Sequence, residues 1–180
     1  MDINQSVRFF PSWNTYDIYQ TIGLIELASY IHQNYPNADN WLEIGSKIGE
    51  SATIFLSFAQ TKTLHCVDSN ESWIKILKRK FLREVNNNRC FIHHSSSIDF
   101  SEKILDNSMD VIYIDADHNY EAVKKDISLY LNKVKSGGYI CGHDYSYNHS
   151  GVVQAVNELS TVTGKKIIQF QDTSWLMKKD

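Results

Sequence analysis

The sequence predicts a doubly wound α/β domain, in which helices cover both faces of a mostly parallel sheet. Two observations predict it: strand-like apolar runs alternate with helix-like segments five times, and two short strand-like runs close the chain. Because alternating strands and helices are joined by crossover connections, the strands form a parallel sheet. Ligands bind beyond the carboxyl ends of the strands in such sheets, so polar residues at those ends are the candidate site.

The elements follow from the spacing of apolar residues. An amphipathic helix is predicted over 16–35, because apolar residues recur at three- and four-residue steps from Ile18 to Ile31. The strand and helix pairs that follow are 41–45 with 50–60, 63–68 with 75–84, 89–93 with 101–106, 109–115 with 118–135, and 137–144 with 151–163. Two close runs within 165–179 predict a terminal antiparallel hairpin. The 180 residues therefore make one domain, with an N-terminal segment (1–37) before the core (38–180).

The composition excludes several classes of function. A hydrophobic content of 42% and a net charge of -3 are ordinary for a globular protein and favour neither nucleic acid nor an anionic membrane. The basic residues between 75 and 84 recur at helical spacing, which predicts a solvated helix face rather than a phosphate-binding patch. Three cysteines, with Cys66 and Cys141 in predicted strands, indicate reduced thiols rather than disulfides. Since neither a signal-peptide pattern nor a run of transmembrane length occurs, we expect a cytoplasmic protein.

The turn after the first strand, in the segment WLEIGSKIGES, carries two glycines. Gly45 and Gly49 let a ligand approach the backbone and the N-terminus of the next helix. A dinucleotide fingerprint beginning at Gly45 would need glycines where Lys47 and Glu50 stand, which weakens a pyrophosphate interpretation. Glu43, expected to point at the same edge of the sheet, would repel a diphosphate and favours a cationic ligand. The alternative is a turn that only connects a strand to a helix.

Polar residues also follow the second and third strands. Asp68 ends the second strand, where a carboxylate can accept hydrogen bonds from the two hydroxyl groups of a ribose. The alternative is that Asp68 or Ser69 caps the next helix. Beyond the third strand, the hydroxyls of the serines at 95–97 are candidates for holding an adenine edge. The adjacent His93 and His94 point apart and are expected to be structural.

Four segments resemble the successive motifs of class I S-adenosylmethionine-dependent methyltransferases: LEIGSKIGES, VDSN, DVIYIDADHNYEAVKKDI and KSGGYICGHDY. The last two are similar to the metal-assisted small-molecule O-methyltransferases, a neighbourhood that includes catechol-type, macrolide-sugar and cephalosporin-hydroxylase-like proteins. The resemblance, from about residue 40 to 178, implies a Rossmann-like sheet of seven strands with the last strand antiparallel, and S-adenosylmethionine as the cofactor. It implies that the cofactor is bound by Glu43, Gly45, Ser46, Gly49, Ser51, Asp68, Ser69, Ser96 and Asp115.

The segment YIDADHNY puts acidic residues and a histidine directly after the fourth strand. Asp115 ends that strand and Asp144 ends the fifth, and the family's strand order makes the two strands neighbours, about 4.8 Å apart. Carboxylates that close repel each other unless a cation lies between them, and oxygen ligands suit Mg²⁺. The resemblance therefore implies that Asp115 and Asp144 bind a divalent metal, Mg²⁺ or Mn²⁺, and that His118 is the general base. Asp117 is expected to be the N-cap of the following helix.

Two positions depart from the family pattern. Catechol-type enzymes carry asparagine where this chain has Tyr145, and macrolide-type enzymes carry an acid where it has His143. An imidazole tolerates Mn²⁺, Fe²⁺ or Zn²⁺ as well as Mg²⁺. His143 is thus either a third metal ligand or a buried structural histidine, and His118 is either the base or a residue that caps the next helix.

The resemblance implies methyl transfer to a small hydroxylated acceptor, a sugar or another diol. The acceptor pocket would be closed by residues 145–150 and by N-terminal aromatics, unless those aromatics pack in the core: Phe9, Phe10, Trp13 and Tyr16. The alternatives are a nicotinamide-dependent oxidoreductase on the same architecture and a binding-only relative that has lost the chemistry. The expected partner is the small acceptor, with no nucleic acid or membrane, and the chain is either a monomer or a homo-oligomer.

Overall fold

The computed structural model describes residues 18–180, with side chains from Gln20 onward. Within that range the helices are α1 (Ile18–Asn34), α2 (Glu50–Ser57), α3 (Glu71–Lys80), α4 (Leu82–Asn86), α5 (Ser97–Ser101), α6 (Tyr120–Tyr130) and α7 (Ser150–Thr163). The strands are β1 (Asn40–Ile44), β2 (Thr63–Asp68), β3 (Cys90–His94), β4 (Met109–Ile114), β5 (Val134–Gly142), β6 (Ile168–Gln169) and β7 (Trp175–Lys178). Short 3-10 turns at Leu131–Lys133 and Tyr147–His149 precede β5 and α7.

The strands form one sheet in the order β3-β2-β1-β4-β5-β7-β6. Pairs among β1 to β5 are parallel, whereas β7 is antiparallel to both β5 and β6. The predicted doubly wound sheet of seven strands with an antiparallel last strand is confirmed. The strand order reverses between β1 and β4, and at such a switch point the carboxyl ends of the strands open a crevice for ligands. β4 and β5 are neighbours, as the resemblance implied.

Alternation along the central strands produces two cores. On β4, Val111 and Tyr113 face one side of the sheet, whereas Ile112 and Ile114 face the other. The first core is covered by α1, α2 and α3, and the second by α5, α6 and α7. Because helices cover both faces, a ligand can approach the parallel strands only at their ends.

The basic helix begins earlier than predicted and is interrupted once. The Asn70 side chain accepts hydrogen bonds from the backbone N–H groups of Ser72 and Trp73. For that reason α3 begins at Glu71. The buried Phe81 leaves helical geometry and separates α3 from α4. The predicted solvated face is confirmed by the exposure of its basic side chains, Lys75, Lys78, Arg79 and Arg83.

Two boundaries around β3 and β5 also differ from the predictions. The short helix expected at 101–106 is α5, because the Ser96 hydroxyl accepts a hydrogen bond from the Asp99 N–H at 3.1 Å and caps an earlier start. The fifth strand begins at Val134 rather than at residue 137. Gly137 therefore lies within β5, where it has a positive φ of 78°. Apolar spacing alone could not indicate either feature.

The helix predicted over 118–135 is shorter than expected. α6 ends at Tyr130, and a 3-10 turn leads into β5, so Val134 begins a strand. The prediction that Asp117 is the N-cap is wrong, because Asn119 occupies that position. Asp117 instead accepts a hydrogen bond from the backbone N–H of Asn119 at 2.8 Å, a local turn that precedes the helix.

Three further expectations concern the cysteines, membrane-spanning helices and the N-terminal aromatic residues. The cysteines Cys66, Cys90 and Cys141 are free and buried. Across residues 18–180, no helix is both long and apolar enough to cross a membrane. The aromatic residues at 9–16, expected either to close a pocket or to pack in the core, lie outside the described residues.

Candidate active site

A cavity of about 770 Å³ opens at the carboxyl ends of the central strands. Of the residues predicted to bind the cofactor, those on its wall are Gly45, Ser46, Ser51, Asp68, Ser69, Ser96 and Asp115. The predicted metal ligands Asp144 and His143 and the predicted base His118 line the same cavity. The structure thus brings most of the proposed cofactor residues and the acidic cluster into one space, whereas Glu43 and Gly49 are not on its wall.

The turn between β1 and α2 depends on two glycines in left-handed conformations. Gly45 has a φ of 90°, and a Cβ there would lie 2.2 Å from the backbone oxygen of Asp115. Gly49 has a φ of 76° and is the N-cap of α2, where a Cβ would lie 2.6 Å from the Phe81 ring. The Lys80 ammonium donates a hydrogen bond to the backbone oxygen of Gly49 at 2.7 Å. A side chain at either glycine would therefore push the turn away from its neighbours.

Glu43 does not point at the edge of the sheet, and the sequence expectation is wrong in this respect. Its side chain is fully buried, because alternation along β1 puts it on the same face as Trp41, under α2. The Ser51 hydroxyl donates a hydrogen bond to its carboxyl group. Burial raises the pKa of Glu43 to about 7, although the hydroxyls of Ser46 and Ser51 oppose this. Glu43 supports the first turn of α2 from below and is not on the cavity wall.

Asp68 links two turns at the edge of the sheet. One carboxylate oxygen accepts a hydrogen bond from the Lys47 N–H and the other from the Asn70 N–H, each at 2.8 Å. The alternative that Asp68 or Ser69 caps the next helix is wrong, because Asn70 is the N-cap. A carboxylate has about four acceptor positions, so Asp68 keeps acceptor capacity for a ligand in the cavity.

Asp115 and Asp144 meet at the ends of neighbouring strands. One donor atom from each of Asp115, His143 and Asp144 lies within 4.8 Å of the others. An ion with ligands at about 2.0–2.6 Å can bridge donor atoms at that separation. Asp144 has a φ of 60°, a left-handed conformation that costs a residue of this kind on the order of 1–3 kcal/mol. Such strain is typical of functional sites, because the surrounding structure must enforce it.

His143 is buried between two carboxylates. Its Nδ1 lies 3.2 Å from Oδ1 of Asp144, and its Nε2 lies 3.7 Å from Oδ2 of Asp172. Although burial opposes the charged form, the carboxylates of Asp144 and Asp115 raise the pKa of His143 to about 9. Without metal the imidazole is thus a charged partner of Asp144, and a cation bound there would replace its proton. The role of His143 as a third ligand stays a prediction.

His118 faces the same carboxylates from the loop after β4. Its Nε2 lies 2.8 Å from Oδ2 of Asp144 and 3.8 Å from Oδ1 of Asp115. The two carboxylates raise the pKa of His118 above its usual value, and Asp115 makes the larger contribution. The side chain is 41% exposed, so a ligand in the cavity can reach it. His118 does not cap α6, whose N-cap is Asn119.

Sequence reasoning missed Trp73 and Asp172, and it indicated His149 only as part of the segment 145–150 that was expected to close the acceptor pocket. Trp73 lines the cavity from the first turn of α3, and its position one turn after a predicted strand end was a usable signal. Nε2 of His149 lies 3.4 Å from Oδ1 of Asp144. Asp172, ahead of β7, is buried and faces His143. Asp172 belongs to no motif, and nothing in the segment 145–150 singled out His149, so the packing of distant segments brings these two side chains to His143 and Asp144.

Comparison with known proteins assigns the chain to a family. Residues 42–145, more than half of the chain, match the family model described as a methyltransferase domain. The chain belongs to the methyltransferase domain family. The matched region contains both the glycine turn and Asp144, and the resemblance to class I S-adenosylmethionine-dependent methyltransferases is thereby confirmed.

This methyltransferase-domain chain has a relative in a giant virus. An uncharacterised protein of Acanthamoeba polyphaga mimivirus is 31% identical over 132 residues, which cover 66% of this chain and 58% of that protein. The matched part therefore spans little more than half of that relative's length.

Solved structures share the fold of this methyltransferase-domain chain. A candidate caffeoyl-CoA O-methyltransferase from Staphylococcus aureus has a TM-score of 0.75 at 23% identity, covering 100% of this chain and 93% of that one. An O-methyltransferase from Bacillus cereus in complex with SAH has a TM-score of 0.69 at 15% identity, covering 98% and 89%. Spermidine synthase from Thermotoga maritima has a TM-score of 0.63 at 18% identity, covering 87% and 58%. The fold is therefore shared by proteins with different names and reactions, and the residues of the site must decide the chemistry.

Proposed function

We propose that this chain is an S-adenosylmethionine-dependent O-methyltransferase that acts on a small hydroxylated acceptor with the help of a divalent metal. The observation that carries the proposal is that Asp115, Asp144 and His118 line the same cavity as Gly45 and Asp68. A pair of metal-ligand carboxylates and a base therefore share one space with the residues proposed for the methyl donor. The family match supports methyl transfer, and the acidic cluster supports an oxygen acceptor.

S-adenosylmethionine fits the cavity in size and in chemistry. A volume of about 770 Å³ falls within the range of roughly 300–1,000 Å³ that is usual for ligand sites. Asp68 offers acceptor positions for the ribose hydroxyls, and Trp73 offers an aromatic surface for the adenine. The acidic wall suits a sulfonium cation. The structural likeness to an O-methyltransferase solved with SAH supports the same cofactor here.

Asp115 and Asp144 would hold the metal, with His143 as the third ligand, and Mg²⁺ or Mn²⁺ suits this set. When bound, the ion lowers the pKa of an acceptor hydroxyl by stabilising its anion. His118 accepts the proton at Nε2, the nitrogen that faces the cluster. The walls of the cavity hold the acceptor oxygen in line with the methyl group, which is the main contribution expected of a protein in group transfer.

A second cavity, of about 530 Å³, supports a polar acceptor. It shares Asp117 and His118 with the first cavity, so the proposed base borders both spaces. The rest of its wall is mostly amide, hydroxyl and imidazole groups: Asn119, Tyr120, Asn148, His149, Ser150, Gly151 and Gln154. Such a wall can satisfy the hydroxyl groups of a sugar or another diol, which an apolar wall would leave unpaired.

We place this reaction in the cytoplasm and expect no nucleic-acid or membrane partner. Three free, buried cysteines favour a reducing compartment. A net charge of -3 favours binding neither to nucleic acid nor to an anionic membrane.

Calorimetric titration with S-adenosylmethionine and with NAD, followed by methyl-transfer assays, tests the proposal. We expect S-adenosylmethionine to bind and NAD not to bind. We expect methylated product from a panel of sugars and diols with Mg²⁺ or Mn²⁺, and none in excess chelator. Binding of NAD alone would favour the oxidoreductase alternative, and cofactor binding without transfer to any acceptor would favour a binding-only relative.

A further inference from the structure

A second cluster of metal-ligand atoms includes Asp144. Its other members are His118 and His149, and one donor atom from each of the three residues lies within 4.8 Å of the others. Nε2 of His118 is 2.8 Å from Oδ2 of Asp144, and Nε2 of His149 is 3.4 Å from Oδ1. The centroids of the two imidazole rings are 4.6 Å apart. Both histidines therefore turn the same ring nitrogen towards one carboxylate.

The spacing of these atoms fits a single ion. A tetrahedral ion with ligands at about 2.0–2.1 Å separates neighbouring donor atoms by about 3.3 Å, and an octahedral ion separates them by about 2.9 Å. The two nitrogen–oxygen distances, 2.8 Å to Oδ2 and 3.4 Å to Oδ1 of Asp144, are close to these values, so an ion held by both imidazoles would lie beside this carboxylate. The side chains of His118 and His149 are 41% and 34% exposed, so both have room to adjust around an ion.

The main chain brings the two histidines together. His149 is the N-cap residue of α7, yet its side chain makes no capping hydrogen bond. Gly151, in the first turn of α7, lies against the segment that carries His118, since a Cβ there would be 2.5 Å from the His118 backbone oxygen. Both histidines line the second cavity, through which an ion can reach them.

We propose that His118, Asp144 and His149 form a site for a borderline divalent ion, with Zn²⁺ as the preferred occupant. Two imidazoles and one carboxylate suit Zn²⁺ or Co²⁺, whereas Mg²⁺ prefers oxygen ligands. The site differs from the one proposed at Asp115, His143 and Asp144, with which it shares one carboxylate.

Occupation of this site changes what His118 can do. Coordination uses the lone pair of Nε2, so the same nitrogen cannot then accept a proton. Zn²⁺ should therefore inhibit methyl transfer, even where Mg²⁺ supports it. That consequence rests on the proposed function, whereas binding of the ion does not.

Zinc binding to the metal-free chain, without cofactor or acceptor, tests the site directly. Isothermal titration calorimetry should detect Zn²⁺ binding to the wild type. His149→Ala removes a ligand and should weaken that binding by at least the roughly 10–100-fold that loss of an outer-shell partner costs. Tyr147→Ala is the matched control, because Tyr147 belongs to the same turn and is 97% exposed. This control should bind Zn²⁺ as the wild type does.

Equal zinc affinity in His149→Ala and Tyr147→Ala would overturn the proposal. Binding that survives His149→Ala but is lost in Asp115→Asn would overturn it too, because the ion would then occupy the other cluster. If His149→Ala fails to fold, nitrogen NMR of the wild type decides, since Zn²⁺ must shift the Nε2 signals of both His118 and His149. No methyl transfer is measured, so failure of the proposed function leaves these results unaffected.

Discussion

Nε2 of His118 lies 2.8 Å from Oδ2 of Asp144, although the two residues follow different strands. β4 and β5 are adjacent and parallel, so the segments that leave them begin side by side. The backbone N–H of Asp115 is fixed in turn by the oxygen of Ile44, at 2.9 Å. The acid–histidine contact therefore depends on strand pairing at the centre of the sheet, which makes single substitutions there informative.

Asp115→Asn and Asp144→Asn should each abolish metal-dependent methyl transfer. An amide keeps the shape of the side chain but loses the charge that binds a divalent cation. Chelation of the wild type should give the same loss, and added Mg²⁺ or Mn²⁺ should restore activity. Asp106→Asn is the control, because Asp106 forms an exposed ion pair with Lys133 away from the cavity. Full activity in excess chelator would contradict the metal assignment.

His118→Ala should lower turnover by roughly 10²–10⁴, the usual contribution of a positioned general base. S-adenosylmethionine affinity should stay unchanged, because Asp68 and Trp73, proposed to contact the ribose and the adenine, line the cavity without contacting His118. A base must be neutral to act, and the neighbouring carboxylates raise the pKa of His118 above its usual value of about 6.5. The wild-type rate should therefore rise with pH as His118 loses its proton, over a range that a divalent ion on the same carboxylates shifts to lower pH, and the variant should lose this limb of the profile. An identical pH profile in the two proteins would exclude His118 as the base.

Asp68→Ala should weaken S-adenosylmethionine binding by one or two charge-assisted hydrogen bonds, of order 1.5–3 kcal/mol each. The substitution also removes the acceptors for the Lys47 and Asn70 N–H groups, so part of the loss reflects a looser turn. Asp68→Asn keeps one carbonyl acceptor and should lose less. Calorimetry measures the affinity, and a thermal melt reports the contribution of the turn. Unchanged affinity in Asp68→Ala would put the ribose elsewhere.

Gly45→Ala should destabilise the fold more than Gly137→Ala. Both glycines have positive φ values, 90° and 78°, so both substitutions carry a left-handed strain of about 1–2 kcal/mol. A Cβ at Gly137 meets nothing within 4 Å, whereas a Cβ at Gly45 would lie 2.2 Å from the Asp115 oxygen. Gly45→Ala should therefore cost roughly 1–3 kcal/mol more, as other overpacked sites do. Urea unfolding measures the difference, and equal losses would mean that the turn can move away from β4.

Glu43→Gln should stabilise the protein at high pH. Burial raises the pKa of Glu43 from 4.5 to about 7, so the folded chain holds a proton that the unfolded chain releases between these values. Wild-type stability should fall as pH rises through this window, by on the order of 2–3 kcal/mol. Glutamine keeps the shape and cannot ionise, so the variant should lack that fall. Urea unfolding at pH 5 and pH 8 measures the change in the free energy of unfolding. The same pH dependence in both proteins would show that ionisation of Glu43 does not destabilise the fold.

Spacing along the chain was enough to predict the doubly wound fold, whereas most of the candidate site was implied by the resemblance to methyltransferases. Apolar periodicity indicated each strand of the described sheet, although β5 begins at Val134 rather than at 137, because periods of two and of three to four residues report local geometry directly. The carboxyl ends of parallel strands share one edge, so Gly45, Asp68 and Asp115 could be expected to meet before any contact was known. Helix starts were harder to place, since Asn70 and Ser96 cap them through side-chain hydrogen bonds that leave no mark on apolar spacing.

The sequence by itself thus determined which elements form and which strand ends carry the polar residues of the candidate site. Only the tertiary structure decided which way each side chain faces and which distant residues join the site. Glu43 turned into the protein because the crossover to α2 covers its face of β1. His149 and Asp172 reached Asp144 and His143 because α7 and the terminal hairpin pack beside β5. Such contacts are set by the packing of whole elements, whose positions no local pattern encodes.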